Sequence, residues 1–173
     1  MVNSDKASNV ASNVASNVAS RLSSRNALKE RIKLNEGSIE YQQYKGFFSD
    51  GHFHSYKCSE GFTTIGYGHR CADNQLPITP LEADALLDKD IETARTLAAK
   101  IHMDEYQVVN DVLIETVFQI GYNGLLKFKK MLLALKAGDY EKAAYEMKNS
   151  RWYKQTPTRV QKHIDVLLSV KGK

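Results

Sequence analysis

One short β-like stretch lies between longer segments whose apolar residues recur at helical spacing. Residues 56–69 contain a Ser-Glu-Gly turn, the run Phe-Thr-Thr-Ile, and two glycines, Gly66 and Gly68, that bracket a second tight bend. β-branched and aromatic residues favour strands, and glycine favours turns. The stretch therefore predicts a small antiparallel sheet, which places the fold in the α+β class with most of the chain helical.

The segment after this sheet carries the clearest helix signal. Thr79, Pro80 and Glu82 form a capping box with proline at the first helical position. Apolar residues then recur every three or four positions, which predicts a long helix over about residues 79–102. Asp90 borders the apolar face of this helix and needs a polar partner. His69, in the predicted sheet, is a candidate for that partner.

Shorter helices are predicted on both sides of this region. Leu28 and Ile32 precede Glu36 and Gly37, and this pattern indicates a short amphipathic helix that begins near Asn26 and ends at a glycine. From residue 104 onward the helical spacing returns, with interruptions at residues 121–124, 138–139 and 150–157. This second region predicts a bundle of several short helices.

Composition excludes some classes of protein but does not select one function. The 173 residues, 42% of them hydrophobic, suffice for one domain with a real core or for one domain divided into two small lobes. The net charge of +4 suits an anionic surface such as cell wall, membrane or nucleic acid. Cys58 and Cys71 are too few for a disulfide scaffold and match no zinc pattern. No apolar run has the length of a membrane span or the form of a secretory signal.

The chain begins with a repeat in which Ala-Ser-Asn-Val occurs three times within residues 7–20. Valine, asparagine and serine are mediocre helix formers, and the valines would give only a thin apolar stripe. We interpret residues 1–24 as a flexible or partly helical arm. A second hypothesis is a docking segment that becomes helical by packing on its own domain.

Glu36 is the first candidate catalytic residue. It falls in the last turn of the first predicted helix, where the negative end of the helix dipole disfavours ionisation and raises a carboxyl pKa. A raised pKa suits a general acid. Position alone does not separate this role from that of a surface glutamate that happens to precede a helix cap.

Several separated stretches of residues 26–170 resemble the T-even type phage lysozymes, a glycoside hydrolase family. They are Glu36-Gly37, residues 56–69, residues 79–90, Val-Phe-Gln-Ile-Gly at 117–121, Ser-Arg-Trp-Tyr at 150–153, and Gln155, Thr156, Pro157 and Arg159. Each string is short, but their order and spacing make coincidence improbable. The resemblance implies a catalytic domain over residues 25–173, with a β lobe at about 37–78, a linking helix at about 79–102, and a helical lobe at about 103–170 that includes the first helix.

Matching the family's motif residue by residue gives three positions a catalytic role. In that family a glutamate in the first helix is the general acid, an aspartate or sometimes a cysteine follows on the sheet, and a threonine lies six positions later. These roles fall on Glu36, Cys58 and Thr64. Glycoside hydrolysis needs such parts, because an acid protonates the leaving oxygen while groups on the opposite face position water.

The resemblance also assigns supporting residues. His69 and Asp90 resemble an ion pair between the sheet and the long helix, and Arg159 resembles an arginine that faces the catalytic glutamate. Phe118 and Gln119 correspond to residues that line the sugar groove, although Phe118 could equally be a core residue. The resemblance implies no cofactor.

The chain departs from the family in the segment that precedes Cys58. Glu36 and Cys58 are 22 positions apart, which implies an insertion of about a dozen residues within 41–55. We expect this segment to lengthen the hairpin or to line the cleft. It contains His52 and His54, but their spacing gives only a weak case for a metal, and a solvated loop is the preferred interpretation. No metal site is predicted.

Cys58 is the second departure. An ordinary thiol has a pKa near 8.5 and is mostly neutral at pH 7, unlike an aspartate. The site could make a thiolate available, use the sulfur as a polar group that holds water, or take its negative charge from Glu60 or Asp50. A small half-buried cysteine without a catalytic part is the remaining alternative. Hairpin neighbours could also bring Cys58 close to Cys71, although a disulfide needs a Cα separation below about 7 Å.

The resemblance implies an inverting muramidase that hydrolyses the β-1,4 bond between N-acetylmuramic acid and N-acetylglucosamine in peptidoglycan. We expect a monomer that binds peptidoglycan glycan strands, with no nucleic-acid partner and no stable membrane insertion. Without a signal or anchor, an endolysin would remain in the host cytoplasm until a holin-like protein released it to the wall. A lytic transglycosylase on the same bond is one alternative. A non-catalytic wall-binding or virion protein is another, because the second carboxylate is missing.

Overall fold

The computed structural model describes residues 3–58 and 61–170, which form a small β lobe and a larger helical lobe. The helices are α1 (Asn3–Glu36), α2 (Ile39–Tyr44), α3 (Pro80–Ala99), α4 (Gln107–Ile120), α5 (Tyr122–Leu126), α6 (Lys129–Lys136), α7 (Tyr140–Lys148), α8 (Arg151–Gln155) and α9 (Pro157–Ser169). The strands are β1 (Phe48–Ser49), β2 (His52–Phe53), β3 (Tyr56–Lys57), β4 (Thr63–Ile65) and β5 (His69–Arg70). The predicted α+β class with mostly helical structure is confirmed.

The predicted antiparallel sheet is the three-stranded sheet β3-β4-β5, with β4 in the centre. Tyr56 lies opposite Thr64 across one strand pair, and Thr64 lies opposite Arg70 across the other. Residues directly opposite each other in a sheet point to the same face. This register determines which side chains of the β lobe share a surface.

Helix α3 connects the two lobes. It begins with the predicted capping box, in which Thr79 accepts from the backbone of Glu82 and the Glu82 side chain accepts from the backbone of Thr79. Its apolar face is buried, as the sequence pattern predicts. Helix α3 contacts β2 and β5 of the β lobe, and it packs on α1, α4 and α5 of the helical lobe. The helix therefore fixes the β lobe against the helical lobe.

The first helix is longer than the sequence pattern predicts. It ends at Glu36, as expected, but it begins at Asn3 and not near Asn26, so the repeat and the start of the lysozyme-like segment lie on one continuous helix. The prediction of a short helix was wrong because helical hydrogen bonds continue through residues that offer few apolar contacts. Among the α1 side chains that the structure describes, Leu28 is the first in the core, whereas Val18 and Leu22 are exposed.

The segment 41–55 forms structure of its own. It contains the end of α2 and the two-stranded sheet β1-β2, which is separate from β3-β4-β5. Phe53 is fully buried, and its backbone exchanges two hydrogen bonds with Ile78. The expectation that this segment lengthens the hairpin was wrong, because its strands pair with each other in a sheet of their own and add no residue to the β3-β4 ladder.

A single hydrophobic cluster runs through both lobes. In the β lobe it includes Phe53, Ile65 and Tyr67, and in the helical lobe it includes residues of α4 and α6 to α9. Trp152 is buried against Phe128 and His163. Among the described residues, no helix has the length and apolar character needed to cross a membrane.

Candidate active site

Glu36 occupies the last position of α1, at the junction of the two lobes. Gly37 follows with φ +118°, a backbone conformation that glycine adopts without strain and other residues rarely adopt. The Glu36 side chain is 19% exposed. Burial raises its pKa, and the positive charge of Arg159 acts in the opposite direction without cancelling the effect of burial. The raised pKa agrees with the property expected of a general acid.

Arg159 extends from the first turn of α9 toward this carboxyl group. Its Nη1 lies 3.1 Å from Glu36 Oε1, and its Nη2 donates to the backbone carbonyl of Asn35. The guanidinium group thus contacts both the catalytic candidate and the helix end that carries it. Arg159, which the family resemblance places opposite Glu36, therefore does contact it.

Gly68 covers the other side of the Glu36 carboxyl group. It has φ +88°, and a Cβ atom at this position would lie 3.4 Å from Glu36 Oε2. The bend between β4 and β5 therefore lies against the carboxyl group, and its positive φ is a conformation that glycine adopts without strain. The sequence identifies Gly68 as a turn residue only, and its contact with Glu36 depends on the tertiary structure.

Cys58 and Thr64 lie on the same face of the three-stranded sheet. Cys58 is opposite Phe62, to which its backbone N–H donates at 2.9 Å, and Thr64 is opposite Tyr56. Alternation along the strands places Tyr56, Cys58, Phe62 and Thr64 on one surface. Thr64 is buried, and its hydroxyl donates to the Phe62 carbonyl at 3.3 Å. The sheet thus groups two of the three residues that resemblance makes catalytic.

Tyr56 connects this sheet face to the helix end. Burial raises the pKa of its phenol, and the nearby negative charge of Glu36 and the sulfur of Cys58 raise it further. The Tyr56 ring stacks on Phe47, with centroids 4.0 Å apart and planes 5° apart. Sequence reasoning gave Tyr56 no role, and its only sequence signal is its position two residues before Cys58.

Cys58 and Cys71 do not form a disulfide with each other. The register places Cys71 opposite Thr63, whose carbonyl accepts from the Cys71 backbone N–H at 3.0 Å. Thr63 and Thr64 point to opposite faces of β4, and so Cys71 and Cys58 do as well. They also lie on either side of the central strand. The sheet therefore keeps the two sulfur atoms apart. The sequence alone had left open whether Cys58 and Cys71 form a disulfide.

Glu60 and Asp50 are the other residues that the sequence offers as a negative charge opposite Glu36. Glu60 lies outside the described residues. Asp50 lies in the turn between β1 and β2, where it is exposed and has φ 52°. Among the described residues of the sheet face that carries Cys58, none is acidic.

His69 and Asp90 meet between the sheet and α3. His69 Nδ1 lies 2.8 Å from Asp90 Oδ2, and each side chain is about one-third exposed. Both residues line a cleft of about 280 Å³ together with Gly68 and Phe118. Phe118 is half-buried at the edge of the core and faces this cleft. Gln119 has a buried Oε1 to which no described group donates.

The histidines of the segment 41–55 make local contacts. His52 Nδ1 donates to the Asp50 carbonyl at 2.7 Å, and His54 Nε2 lies 3.0 Å from Ser49 Oγ. Within the described part of the chain, no three His, Cys, Asp or Glu residues are grouped so that they could hold a metal ion.

Comparison with known proteins agrees with this geometry. The family model for phage lysozyme matches residues 43–165. The chain belongs to the phage lysozyme family. Membership makes it a lysozyme-type peptidoglycan hydrolase. The matched region contains Cys58, Thr64 and Arg159 but begins after Glu36.

Individual relatives cover much of the chain. "Probable T4-type lysozyme 1" of Dictyostelium discoideum is 29% identical over 173 residues, which cover 82% of this chain and 94% of that protein. The peptidoglycan hydrolase gp36 of Pseudomonas phage phiKMV is 27% identical over 135 residues, covering 72% of this chain and 14% of gp36. The pre-baseplate central spike protein Gp5 of Enterobacteria phage T4 is 29% identical over 140 residues, covering 64% and 24% respectively. This lysozyme segment thus occurs both as nearly a whole protein and as a part of much longer proteins.

Proposed function

We propose that the protein is a muramidase that hydrolyses the β-1,4 bond between N-acetylmuramic acid and N-acetylglucosamine in peptidoglycan, with Glu36 as general acid. The observation that carries this proposal is the largely buried Glu36 carboxyl group, which is held by Arg159 and has a raised pKa. The phage lysozyme family and the relative named a peptidoglycan hydrolase support the substrate class.

The proposed reaction follows the inverting course. The Glu36 carboxyl gives its proton to the leaving glycosidic oxygen as the bond to the anomeric carbon breaks. A water molecule attacks that carbon from the opposite face and loses a proton to solvent or to a base, so the product sugar has the inverted configuration. Thr64 and Cys58, which share one face of the sheet, are our candidates for positioning this water.

The pH dependence follows from the role of Glu36. The general acid works only when it is protonated, so activity falls as pH rises through the pKa of Glu36. Because burial raises that pKa, activity extends to higher pH than an ordinary glutamate would allow. We assign the biological role of an endolysin that a separate pore-forming protein releases to the wall.

A lytic transglycosylase is a second candidate for the same site. One observation favours it: the described residues of the sheet face around Cys58 include no carboxylate, and a transglycosylase can act with one catalytic acid. Mass spectrometry of the digested peptidoglycan distinguishes the two reactions. A reducing muramic acid end indicates hydrolysis, whereas a 1,6-anhydro end indicates the transglycosylase.

The test of the proposed function compares the wild type with Glu36→Gln on purified peptidoglycan. We expect turbidity loss with the wild type and a fall of at least about a hundredfold with Glu36→Gln, because amide nitrogen cannot donate the required proton. Glu141→Gln, a change of the same chemistry at an exposed position of α7, serves as the matched control and should keep wild-type activity. Full activity in Glu36→Gln would exclude Glu36 as the acid. Inactivity of all three proteins, with wall binding retained, would favour a non-catalytic wall-binding or virion protein.

A further inference from the structure

A group of buried charges lies beneath the last two turns of α1. Asp111 and Glu115 are one turn apart on α4 and are 4% and 3% exposed. Two carboxylates this close and removed from water are costly unless cations pair with them. Arg31 of α1 pairs with both, donating from Nε to Glu115 Oε1 at 2.9 Å and from Nη2 to Asp111 Oδ2 at 3.1 Å. Because burial of these charges costs free energy, stability alone does not account for their presence.

His163 of α9 lies beside the same buried charges but does not neutralise the carboxylate of Glu115. Its Nδ1 lies 4.0 Å from Glu115 Oε2, which is too far for a hydrogen bond. Burial, followed by the positive charges of Arg31, Arg159 and Lys162, lowers the pKa of His163 to about 4. His163 is therefore neutral near pH 7, and Arg31 supplies the charge that balances Glu115.

The second oxygen of Glu115 reaches the end of α1. Glu115 Oε2 accepts from Asn35 Nδ2 at 3.4 Å, and Lys162 Nζ donates to Asn35 Oδ1 at 3.2 Å. The Asn35 side chain is thus held from both sides, by a carboxylate of α4 and by an ammonium group of α9. These contacts fix the last turn of α1, whose terminal carbonyl groups have no partners within the helix.

The last turn of α1 also makes the contacts that hold Arg159 beside Glu36. The backbone carbonyl of Asn35 accepts from Arg159 Nη2, while Arg159 Nη1 lies 3.1 Å from Glu36 Oε1. The guanidinium group is planar and rigid, so the position of one nitrogen determines the position of the other. A displacement of the Asn35 carbonyl would therefore move Arg159 relative to Glu36.

We propose that Glu115 is a positioning residue that acts through Asn35 to hold Arg159 against the Glu36 carboxyl group. The proposal rests on the proposed function, because it concerns the geometry of the proposed general acid. The family resemblance assigns no catalytic role to a residue of α4, and Glu115 contacts the end of α1 through Asn35.

Loss of Glu115 has two effects on Glu36 that differ in sign. Removal of its negative charge would directly lower the pKa of Glu36, whereas release of Arg159 would raise it. The other charged or titratable groups around the two carboxyls are Arg31 on α1, Asp111 on α4, Lys162 and His163 on α9, and Tyr56 on β3. An upward shift of the alkaline limb of the pH–activity profile is therefore the signature of positioning.

The experiment is a double-mutant cycle in the full chain, with kcat/KM measured against pH on soluble peptidoglycan glycan strands. The variants are Asn35→Ala, Glu115→Ala and their combination, and Asp111→Ala is the matched control because it also loses a contact with Arg31 but does not touch Asn35. Thermal unfolding confirms that each variant is folded. Should Glu115→Ala not fold, Glu115→Gln replaces it, since one amide oxygen can still accept from Arg31 while the second acceptor for Asn35 is lost.

We expect each single variant to raise the alkaline limb by about half a pH unit and to lower kcat about threefold, and the double variant to do no more than either alone. Asp111→Ala should lower the unfolding temperature without shifting the limb. Additive effects at Asn35 and Glu115, or an equal shift in Asp111→Ala, would overturn the proposal. An active Glu36→Gln variant would instead refute the proposed function, so the two failures are distinguishable.

Discussion

At the scale of single residues, the properties of Glu36 result from opposing effects on one carboxyl group. Burial favours the protonated form, and Arg159, 3.1 Å away, favours the ionised form. The balance leaves the pKa raised, while Arg159 still fixes the orientation of the carboxyl group. Removing either effect would change when the group is protonated. The close approach of Gly68 restricts the same carboxyl group from the other side.

Cys58 gives the clearest prediction at this scale. We expect Cys58→Asp to retain or raise activity and Cys58→Ala to lower it by about tenfold or more, because alanine offers no polar atom that could position the attacking water with Thr64. Cys71→Ala is the matched control, since Cys71 points to the opposite face of the sheet and should leave activity unchanged. Rates of peptidoglycan digestion measure all three. Wild-type activity in Cys58→Ala would refute a catalytic role for the thiol.

At the scale of elements, the segment 41–55 contacts the strands that carry the candidate site. Its helix α2 carries Gln42, which is buried and donates from Nε2 to the Gly66 carbonyl at 2.8 Å. Its Phe47 stacks on Tyr56, and Phe48 contacts the buried Phe53 edge to face. The segment thus connects the turn after Glu36 to the strands that carry Cys58 and Thr64.

Substitution of two neighbouring phenylalanines should distinguish an effect on the site from an effect on the core. Phe47→Ala should lower kcat severalfold with a small loss of stability, because it releases the Tyr56 ring beside the sheet face of Cys58. Phe48→Ala should lower the free energy of unfolding by about 1–3 kcal/mol with little effect on kcat, because its partner is Phe53 in the core. Parallel kinetics and denaturant unfolding test this. Identical profiles for the two variants would contradict it.

At the scale of the whole molecule, α1 has two parts that differ in packing. From Leu28 to its end the helix is buried on one face and bonded to α3 and α4 through ion pairs such as that of Lys33 with Asp84. Toward its start, the described side chains at residues 16, 18–20 and 22 are all exposed. An ion pair between Arg25 and Glu92, both more than half exposed, marks the change, and exposed pairs of this kind contribute little.

Deletion of residues 1–24 tests whether the repeat matters to the enzyme itself. We expect the shortened protein to keep its activity on soluble glycan strands and to lose no more than a few degrees in unfolding temperature, because Leu28 and Ile32 retain their core contacts. Activity assays and calorimetry of both proteins provide the comparison. A large loss of stability would show that the repeat packs on the domain and is part of its fold.

Stability should also depend on pH through His163. Its pKa is near 6.5 in the unfolded chain and about 4 in the folded protein, so between these values the unfolded state binds the additional proton. The free energy of unfolding therefore falls as pH falls from 6.5 to 4, by on the order of 2–3 kcal/mol from this group. Glu115, whose pKa burial raises, acts in the opposite sense. His163→Leu should flatten the decline of unfolding temperature over this range, and an unchanged slope would contradict the prediction.

The sequence by itself determined the elements whose signals are local. The capping box of α3, the glycine after Glu36 and the strand-forming run that contains β4 depend on neighbouring residues, and all three were predicted. The resemblance then selected Glu36, Arg159, His69 and Asp90 as residues that meet, and the structure shows the two contacts.

Only the tertiary structure decided how distant groups act on one another. The start of α1, the separate sheet β1-β2 and the opposite faces of Cys58 and Cys71 depend on pairing and register, which short-range patterns do not specify. The pKa of Glu36 and its link to Glu115 through Asn35 depend on burial and on contacts between α1, α4 and α9. Residue types can be read along the chain, but desolvation and charge pairing exist only once separate segments have packed together.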